Sequence, residues 1–423
     1  MVSVVIGLQW GDEGKGKIVD LLSQKSQVVV RFHGGNNAGH TVKNSFGTFP
    51  LHLIPSGIFN KRAQACISNG VVLDLDVLLS EIKTVSKVLP DLKKRLFISP
   101  RCHIIMPYHK LLDGLYEQAK GKKKVGTTGR GIGPVHADKV SYHGIRLLDV
   151  KNQTLFAEKL QIQVTLKNRI IRALGGKPLI FTDVLKQIIS QYQELKPYVK
   201  EPLFVIQDAL QKKKAILGEG AQGFFLDNDW GTYPFVTASN IVAGNLNSSA
   251  GVAPTHIKKI IGVSKAYTTR VGSGPFPTEL IDAFGEHIRK IGQEFGTTTG
   301  RPRRCGWLDL ELLRFACLVS GTTDIALTKL DVLDDMAEII ICVGYTLQGK
   351  KIRYEDVSAE DLVRVKPVFK TLKGWQRSTR TTRSFRSLPT NARNYVRFIE
   401  EFLGVPITIV SIGQARSETI IRT

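Results

Sequence analysis

VSVVIGLQWGDEGKGKIVDLL, residues 2–22, contains the signals of a strand, a glycine-rich loop and a helix in immediate succession. The β-branched run at 2–8 predicts the strand, and an apolar stripe from Ile18 to Leu22 predicts the helix. A second apolar run at 28–32 follows and leads into a pair of glycines. This alternation predicts an α/β fold with a large, mostly parallel central sheet flanked by helices. Ligands of such folds bind beyond the carboxyl ends of the strands.

The same order of apolar run and polar loop is repeated along the chain, at 215–217, 257–263, 325–327 and 407–410. The repetition predicts one sheet with a single ligand cleft. The segment from about 151 to 214 is amphipathic, so we expect a helical excursion from the sheet there. No linker divides the chain, and we expect a single domain over residues 1–423.

The composition is that of an ordinary globular protein, because 42% of residues are hydrophobic and 23% are charged, which excludes a wholly disordered chain. No apolar run approaches the roughly 18 residues of a membrane span, and the start of the chain has no basic flank of a signal peptide. The 5 cysteines are dispersed without a CxxC pair, a pattern typical of reduced thiols. We therefore expect a cytoplasmic protein with no membrane partner.

The charge balance is strongly basic, with 59 Lys+Arg against 37 Asp+Glu and a net charge of +22. Such an excess is compatible with nucleic acid, a membrane surface or small polyanions such as nucleotides as partners. One basic series recurs at every third position, as Arg377, Arg380, Arg383 and Arg386. This series lacks the interleaved aromatic residues of a base-stacking surface, which makes nucleic acid the weaker prediction.

The first loop, Gly11-Asp12-Glu13-Gly14-Lys15-Gly16-Lys17, has the composition of a phosphate-binding loop. Its glycines let backbone N–H groups approach a phosphate, and the next helix presents its positive N-terminus. A P-loop carries Ser or Thr where this chain has Ile18. The loop is therefore a phosphate binder of a different design, whose two acids indicate a metal or a proton transfer. A purely structural turn is the alternative.

The second loop, Gly34-Gly35-Asn36-Asn37-Ala38-Gly39-His40-Thr41, follows the second strand. It should open on the same edge of the sheet as the first loop, which places Asp12 and His40 in one cleft. A carboxylate and an imidazole at one site make a base and acid pair. A lone histidine is more often structural, but one flanked by glycines, asparagines and a threonine is typical of a site.

Thr328-Lys329-Leu330-Asp331 follows directly after an apolar run. GTP-binding proteins recognise guanine with an Asn/Thr-Lys-x-Asp loop at a strand end, where the carboxylate accepts from N1–H and the exocyclic amine. The stretches 126–134 and 297–304 combine glycines, threonines and arginines, which suit anions. These loops together predict a guanine nucleotide site.

With these motifs, the chain resembles the adenylosuccinate synthetase family over essentially its whole length. The resemblance rests on residues 9–17, 37–41, 126–134, 218–223, 231–234, 297–307 and 327–334. It implies a P-loop-like nucleotide-binding ligase fold and a GTP-dependent ligase that joins IMP to L-aspartate. The products would be adenylosuccinate, GDP and phosphate, in the AMP branch of purine biosynthesis. The resemblance also implies Mg²⁺ as cofactor and a homodimer.

The resemblance assigns roles to single residues. The catalytic residues would be Asp12, His40 and Lys15. Asp12 would remove the N1 proton of IMP, after which O6 would take the γ-phosphoryl group of GTP to form 6-phosphoryl-IMP. His40 would donate a hydrogen bond to O6. Asp12 and the carbonyl of Gly39 would hold Mg²⁺. The IMP contacts would be Asp12, Glu13, Gly14, Lys15, Asn37, Ala38, Gly39, His40, Thr128, Gln222, Thr237 and Arg301. The GTP contacts would be Gly11, Asp12, Glu13, Gly14, Lys15, Gly16, Lys17, Gly39, His40, Thr41, Arg303, Lys329, Leu330, Asp331, Ser411, Ile412 and Gly413. The aspartate contacts would be Thr297, Thr298, Thr299, Gly300, Arg301, Pro302 and Arg303.

The chain departs from the family pattern in three places. Tyr142 stands where the family usually has an arginine that reaches the IMP phosphate across the dimer interface. The C-terminal guanine loop is Ser411-Ile412-Gly413-Gln414-Ala415-Arg416, where the family often has Ser-Thr-Gly-Pro-Asp-Arg. The arginine series at 377–386 has no counterpart that the resemblance explains.

Alternatives remain open from the sequence. One is a related ligase that acts on another purine nucleotide with the same base and acid. Another is a regulatory GTPase, although Ile18 and Asp12 argue against it. A third is a nucleic-acid-binding protein that uses the fold for its basic surface.

Overall fold

The structure is a computed structural model that describes residues 1–296, 300 and 302–422. Its strands are β1 Val2–Gly7, β2 Val28–Arg31, β3 His40–Asn44, β4 Gly47–Leu51, β5 Gln64–Ile67, β6 Val72–Leu73, β7 Leu96–Ile98, β8 His103–Ile104, β9 Ile216–Glu219, β10 Ile257–Lys265, β11 Thr268–Arg270, β12 Arg304–Gly306, β13 Leu308–Asp309, β14 Asp324–Thr328, β15 Glu338–Leu347, β16 Lys350–Ile352, β17 Lys366–Lys373, β18 Ile407–Ser411 and β19 Thr419–Ile421.

The α-helices surround these strands in chain order. They are α1 Lys15–Ser23, α2 Leu75–Ser86, α3 Leu92–Arg95, α4 Pro107–Ala119, α5 Ile132–Val140, α6 Leu147–Val150, α7 Gln153–Ala173, α8 Phe181–Leu195, α9 Pro202–Gln211, α10 Asn245–Ala250, α11 Ala283–Ile291, α12 Leu310–Ser320, α13 Ala359–Leu362 and α14 Thr390–Leu403. Short 3₁₀ turns join several of them, at Ser56–Phe59, Gly121–Lys123, Lys196–Tyr198, Phe224–Leu226, Pro254–His256, Leu330–Leu333 and Tyr354–Asp356.

Within the described residues, a nine-stranded sheet in the order β19-β18-β14-β10-β1-β9-β2-β5-β7 forms the centre of the structure. Its neighbouring strands pair in parallel, except that β19 runs antiparallel to β18 at one edge. Each strand predicted from an apolar run belongs to this sheet. The prediction of a large, mostly parallel sheet is therefore confirmed.

β9 begins one residue later and ends two residues later in the sequence than the apolar run at 215–217 that predicts it. It begins at Ile216 and continues to Glu219, because Glu219 pairs with Val5 of β1 on one side and with Arg31 of β2 on the other. Backbone pairing with two neighbours extends a strand beyond the residues whose hydrophobicity indicates it. This extension brings a carboxylate to the end of the strand.

Two large apolar clusters form the core. One packs the inner strands of the sheet with α12 and α14, and the other packs β5 and β7 with α2, α4, α7 and α8. Residues 153–211 form α7, α8 and α9, in the segment where the sequence predicts helices. A second, smaller sheet contains β13, β15, β16 and β17. All 5 cysteines are free and buried.

None of the helices in the described part of the chain is long and apolar enough to cross a membrane.

Candidate active site

Polar loops converge at the carboxyl edge of the central sheet. β1, β9 and β2 are neighbours, and they end at Gly7, Glu219 and Arg31, directly before the loops that the sequence singles out. β14 and β18 lie on the other side of β1 and end at Thr328 and Ser411. Since these strands are parallel, their following loops share one edge of the sheet.

The first loop is stabilised from within by Glu13. The Glu13 carboxylate is fully buried, and it accepts the backbone N–H of Gln9 at 3.1 Å and that of Gly11 at 2.9 Å. The ammonium group of Lys15, the first residue of α1, pairs with the same carboxylate. The Glu13 side chain therefore holds the loop in shape from inside the protein.

Asp12 differs from Glu13 in its environment. Its side chain is 30% exposed, and its carboxylate lies 2.9 Å from Nε of Arg303. Its φ of 60° is left-handed, a backbone that non-glycine residues adopt rarely and mostly where surrounding contacts require it. The loop thus presents Asp12 to the cleft edge, opposite Arg303, the last residue of the predicted aspartate-binding stretch.

Two long-range contacts join the first loop to the segments predicted to bind guanine. Thr328 Oγ1 donates a hydrogen bond to the backbone carbonyl of Glu13 at 2.6 Å. The Lys17 ammonium donates to Oγ of Ser411 at 2.7 Å and to the carbonyl of Gly413 at 2.8 Å. Burial lowers the pKa of Lys17 to about 8, although nearby acids oppose the shift. The first loop therefore forms one surface with two segments that lie more than 300 residues further along the chain.

His40 is the first residue of β3 and lies against the first loop. A Cβ atom on Gly16 would lie 3.2 Å from Cβ of His40, so glycine at this position lets α1 approach the histidine closely. The ring atom Nε2 is buried without a hydrogen-bond partner among the described residues, and Oε1 of Glu219 is 3.7 Å away. Buried polar atoms without partners are rare in folded proteins, so this nitrogen is available for a ligand.

The charge state of His40 follows from its surroundings. Burial and then the charge of Arg31 lower the pKa of His40 well below its ordinary value. The Arg31 guanidinium is itself buried and pairs with Glu219 at 3.2 Å. The imidazole is therefore neutral at pH 7, and a neutral imidazole can donate a hydrogen bond to developing negative charge without carrying a charge of its own.

Hydrogen bonds connect three predicted IMP contacts from distant parts of the chain. Nε2 of Gln222 donates to Oδ1 of Asn37 at 3.0 Å, and Nδ2 of Asn37 donates to Oγ1 of Thr237 at 3.2 Å. Gln222 has a left-handed φ of 50°. A Cβ on Gly34 would approach Cβ of Ala221 to 2.6 Å, so the second loop packs directly on the turn after β9.

The guanine loop, defined as residues 328–331, places its two charged side chains apart. Lys329 has a φ of 58°, and its ammonium group lies 3.2 Å from Oε1 of Glu294. Asp331 is 8% exposed and pairs with Arg380 of the arginine series. Leu330 and Ile412 are both fully buried in this structure.

Glu294 is a site residue that sequence analysis missed. Its carboxylate is fully buried and lies 3.2 Å from the ammonium groups of both Lys265 and Lys329. Its other oxygen lies 2.6 Å from Nη1 of Arg303, the same arginine that pairs with Asp12. Its position three residues before a stretch rich in threonine and arginine is the one local signal that could have indicated it.

Several predicted contacts have no described interaction with this cluster. Thr297, Thr298, Thr299 and Arg301 lie outside the described residues. Gly300, Gly39 and Thr41 are exposed, and Pro302 forms a backbone bridge with Phe295. Thr128 is exposed in the loop before α5, and no hydrogen bond between its side chain and the rest of the described chain is present. The carbonyl of Ala38 lies 3.1 Å from Nδ1 of His52.

Comparison with known proteins relates the fold and site to a family. A family model described as adenylosuccinate synthetase matches residues 4–420. The chain belongs to the adenylosuccinate synthetase family. It is 48% identical over 423 residues to the adenylosuccinate synthetase of Chlorobium chlorochromatii, covering 100% of this chain and 98% of that protein. It is also 48% identical over 421 residues to that of Clostridium perfringens, covering 99% and 98% of the two chains.

A solved structure of the family has the same architecture. The fully ligated adenylosuccinate synthetase from Plasmodium falciparum superposes with a TM-score of 0.94 at 36% identity, and each chain is covered to 100%. The prediction of the family and of its ligase fold is therefore confirmed. As a member of the family, the chain is a GTP-dependent ligase of IMP and L-aspartate in AMP biosynthesis, and neither the related ligase nor the regulatory GTPase is favoured.

Proposed function

We propose that the chain performs this ligation at the carboxyl edge of its central sheet, with Asp12 as the base and His40 as a hydrogen-bond donor. The observation that carries the proposal is the hydrogen bond from Thr328 to Glu13, because it joins the guanine loop to the loop of the base. Lys17 supports it by connecting the first loop to the C-terminal guanine segment.

In the first step Asp12 takes the proton from N1 of IMP, and the electron pair moves onto O6. O6 then attacks the γ-phosphorus of GTP. The bond from O6 to phosphorus forms while the bond from phosphorus to the bridging oxygen breaks, and GDP leaves with that electron pair. Asp12 must first give up its contact with Arg303, whose guanidinium is then free to meet the phosphates.

In the second step the amino group of aspartate attacks C6. The bond from C6 to O6 breaks, phosphate leaves with the electron pair, and the amine loses one proton to give adenylosuccinate. His40 acts in the first step by donating a hydrogen bond to O6 as negative charge develops there. Its neutral state suits this task, because a donor that is already uncharged adds no repulsion to the cationic groups nearby.

Asp12 and the backbone carbonyl of Gly39 would hold Mg²⁺ in this scheme. Asp12 is a partly exposed carboxylate, and no cluster of three or more acidic, histidine or cysteine side chains forms a metal cage within the described residues. This donor set fits Mg²⁺, which usually takes one or two carboxylates and completes its shell with phosphates and water. When bound, the ion would neutralise charge on the phosphates.

The remaining contacts follow the same assignment. Gln222, Asn37 and Thr237 would bind IMP, because their mutual hydrogen bonds already place them together. Lys329 and Asp331 would bind guanine, and residues 297–303 would bind aspartate. We further infer a single domain over the whole chain, a homodimer and a cytoplasmic location, each from membership of the family.

The decisive experiment measures GDP release with each reactant omitted in turn. Turnover is expected only when GTP, IMP, aspartate and Mg²⁺ are all present, and chelation of the metal should stop it. Equally fast GTP hydrolysis without IMP would contradict the proposed role of Asp12, because the base would then have no substrate proton to remove. Light scattering on the purified protein tests the homodimer.

A further inference from the structure

Arg380 of the arginine series contacts the carboxylate that is proposed to bind guanine. Its Nε lies 3.3 Å and its Nη2 3.2 Å from the same oxygen, Oδ2, of Asp331. The Asp331 side chain is 7% exposed, whereas the Arg380 side chain is 59% exposed. Asp331 is therefore held within the protein, whereas the Arg380 side chain can move away from it into solvent.

The backbone next to Arg380 is built to keep it beside Asp331. The neighbouring Thr379 is fully buried, and its N–H donates to Oδ2 of Asp334 at 2.7 Å. Nε1 of Trp375 donates to Oδ1 of Asp334 at 2.8 Å. The N–H of Arg377 donates to the Asp334 carbonyl at 2.9 Å. Asp334 thus fixes the start of the arginine series three residues away from Asp331.

The chemistry of the two donors is alike. Guanine presents N1–H and an exocyclic N–H side by side, and these are part of a guanidine unit within the base. A guanidinium group presents the same pair of neighbouring N–H donors. Arg380 therefore occupies Oδ2 of Asp331 with a donor pair of the kind that guanine would bring.

We propose that Arg380 sets the affinity of the guanine site by competing with the base for Asp331. The inference rests on the proposed role of Asp331 in guanine binding. GTP and GDP share the base, so both must displace Arg380, and the apparent affinity of each falls by the fraction of molecules in which Asp331 is free. Arg380 thereby also favours release of the product GDP.

The size of the effect follows from the exposure of the pair. An ion pair with one exposed partner contributes about 0.2–1 kcal/mol, which corresponds to roughly a one-and-a-half- to fivefold change in a binding constant. Salt screens exposed charges, so the effect should shrink as ionic strength rises. An ion pair with both partners buried, or a covalent bond, would change the binding constant by more than this.

The test is GDP binding by calorimetry to the purified full chain and to its Arg380→Gln variant. Arg380→Gln should bind GDP about one-and-a-half- to fivefold more tightly at low salt, with the difference reduced at 0.5 M salt. Arg380→Lys keeps the charge but not the fork and should lie between the two. Arg386→Gln is the matched control, because it removes another exposed charge of the same series that has no contact with Asp331 among the described residues.

Kinetics provide a second readout that general damage to the fold would not produce. The KM for GTP should fall in Arg380→Gln, while the KM for IMP stays unchanged. Weaker GDP binding in Arg380→Gln would overturn the proposal, since Arg380 would then contact the nucleotide itself. Unchanged GDP binding would overturn it as well, because the ion pair would then have no influence on the site.

Asp331→Asn separates failure of this inference from failure of the proposed guanine site. If Asp331 binds guanine, Asp331→Asn weakens GDP and improves xanthosine diphosphate, and adding Arg380→Gln to it has no further effect. If Asp331→Asn leaves the preference between these nucleotides unchanged, the guanine assignment fails. If it shifts the preference but Arg380→Gln is inert, only the role of Arg380 fails.

Discussion

Three proposed site residues have a backbone that is unfavourable for their type. Asp12, Gln222 and Lys329 have φ values of 60°, 50° and 58°. Each such conformation costs on the order of 1–3 kcal/mol in a non-glycine residue and persists only when its surroundings enforce it. In this chain the enforcing contacts include the buried Glu13 carboxylate and the hydrogen bond from Gln222 to Asn37.

Asp12→Asn tests the base while preserving this backbone, because asparagine tolerates left-handed φ well. The amide cannot take the N1 proton, so kcat should fall roughly 10²- to 10⁴-fold, the usual scale for general acid–base catalysis. Steady-state kinetics with saturating GTP, IMP and aspartate measure the change. Retention of most of the activity would remove Asp12 from the proposed mechanism.

His40 should leave no trace of its own titration in the pH profile. Because its pKa is lowered well below 6.5, the imidazole is neutral above that pH and stays neutral as the pH rises. A profile of kcat/KM between pH 6 and 8 should therefore have no ascending limb due to His40. His40→Asn should lower kcat by a similar factor at every pH in this range, and a factor that varies with pH would contradict the neutral state.

At the scale of elements, the buried carboxylate of Glu294 links the segment after α11 to the guanine loop. Burial acts to raise the pKa of Glu294, but the charges of Lys265, Lys329 and Arg303 outweigh it and lower that pKa well below its ordinary value. A lowered pKa means that the ion pairs stabilise the fold above the ordinary glutamate pKa. That stability is lost progressively as the pH falls from the ordinary glutamate pKa to the lowered one.

Glu294→Gln should affect both the guanine site and the fold. Lys329 and Arg303 lose their anchor, so the KM for GTP should rise. Lys265 is left buried without its partner, and the free energy of unfolding should fall by about 3–5 kcal/mol. Denaturant unfolding and GTP kinetics measure the two effects.

Adding Lys265→Met to Glu294→Gln separates these effects. Methionine removes the unpaired buried charge, so much of the stability should return while the raised KM for GTP remains. If the double variant also regains the KM of the wild-type chain, Glu294 acts on stability alone and does not position the GTP contacts.

At the scale of the whole molecule, Tyr142 projects from the surface. It follows α5 in a left-handed turn with a φ of 68°, and it is 93% exposed. In a homodimer of the family type this position would face the IMP phosphate of the partner. A tyrosine hydroxyl can offer one ordinary hydrogen bond where an arginine offers a charged fork.

Three cations lie close to Tyr142 in sequence, Lys139, His143 and Arg146, and any of them could supply the missing charge. We test Arg146 first, because it alone presents a guanidinium fork. Tyr142→Arg should then change the KM for IMP by less than about twofold, whereas Arg146→Ala should raise it roughly tenfold, the value of one charge-assisted hydrogen bond. A marked fall of the KM in Tyr142→Arg would show that the phosphate lacks a cation. An unchanged KM in Arg146→Ala would exclude Arg146 as the substitute.

The α/β class could be predicted from the sequence alone. So could the order of the inner strands along the chain and the loops that carry the chemistry. These features depend on hydrophobic runs of 3 to 7 residues and on glycine-rich motifs, and both are local properties of the chain. The family followed from the same motifs because several of them occur in a fixed order.

Only the tertiary structure shows which of these residues are in contact with each other. Glu294 shows no local sign of its three cationic partners, and Arg380 lies 49 positions from Asp331, so only the path of the chain brings each pair together. The neutral state of His40 is likewise a product of burial beside Arg31. Burial and charge at one point in space depend on every strand that passes it, and no stretch of sequence contains that information.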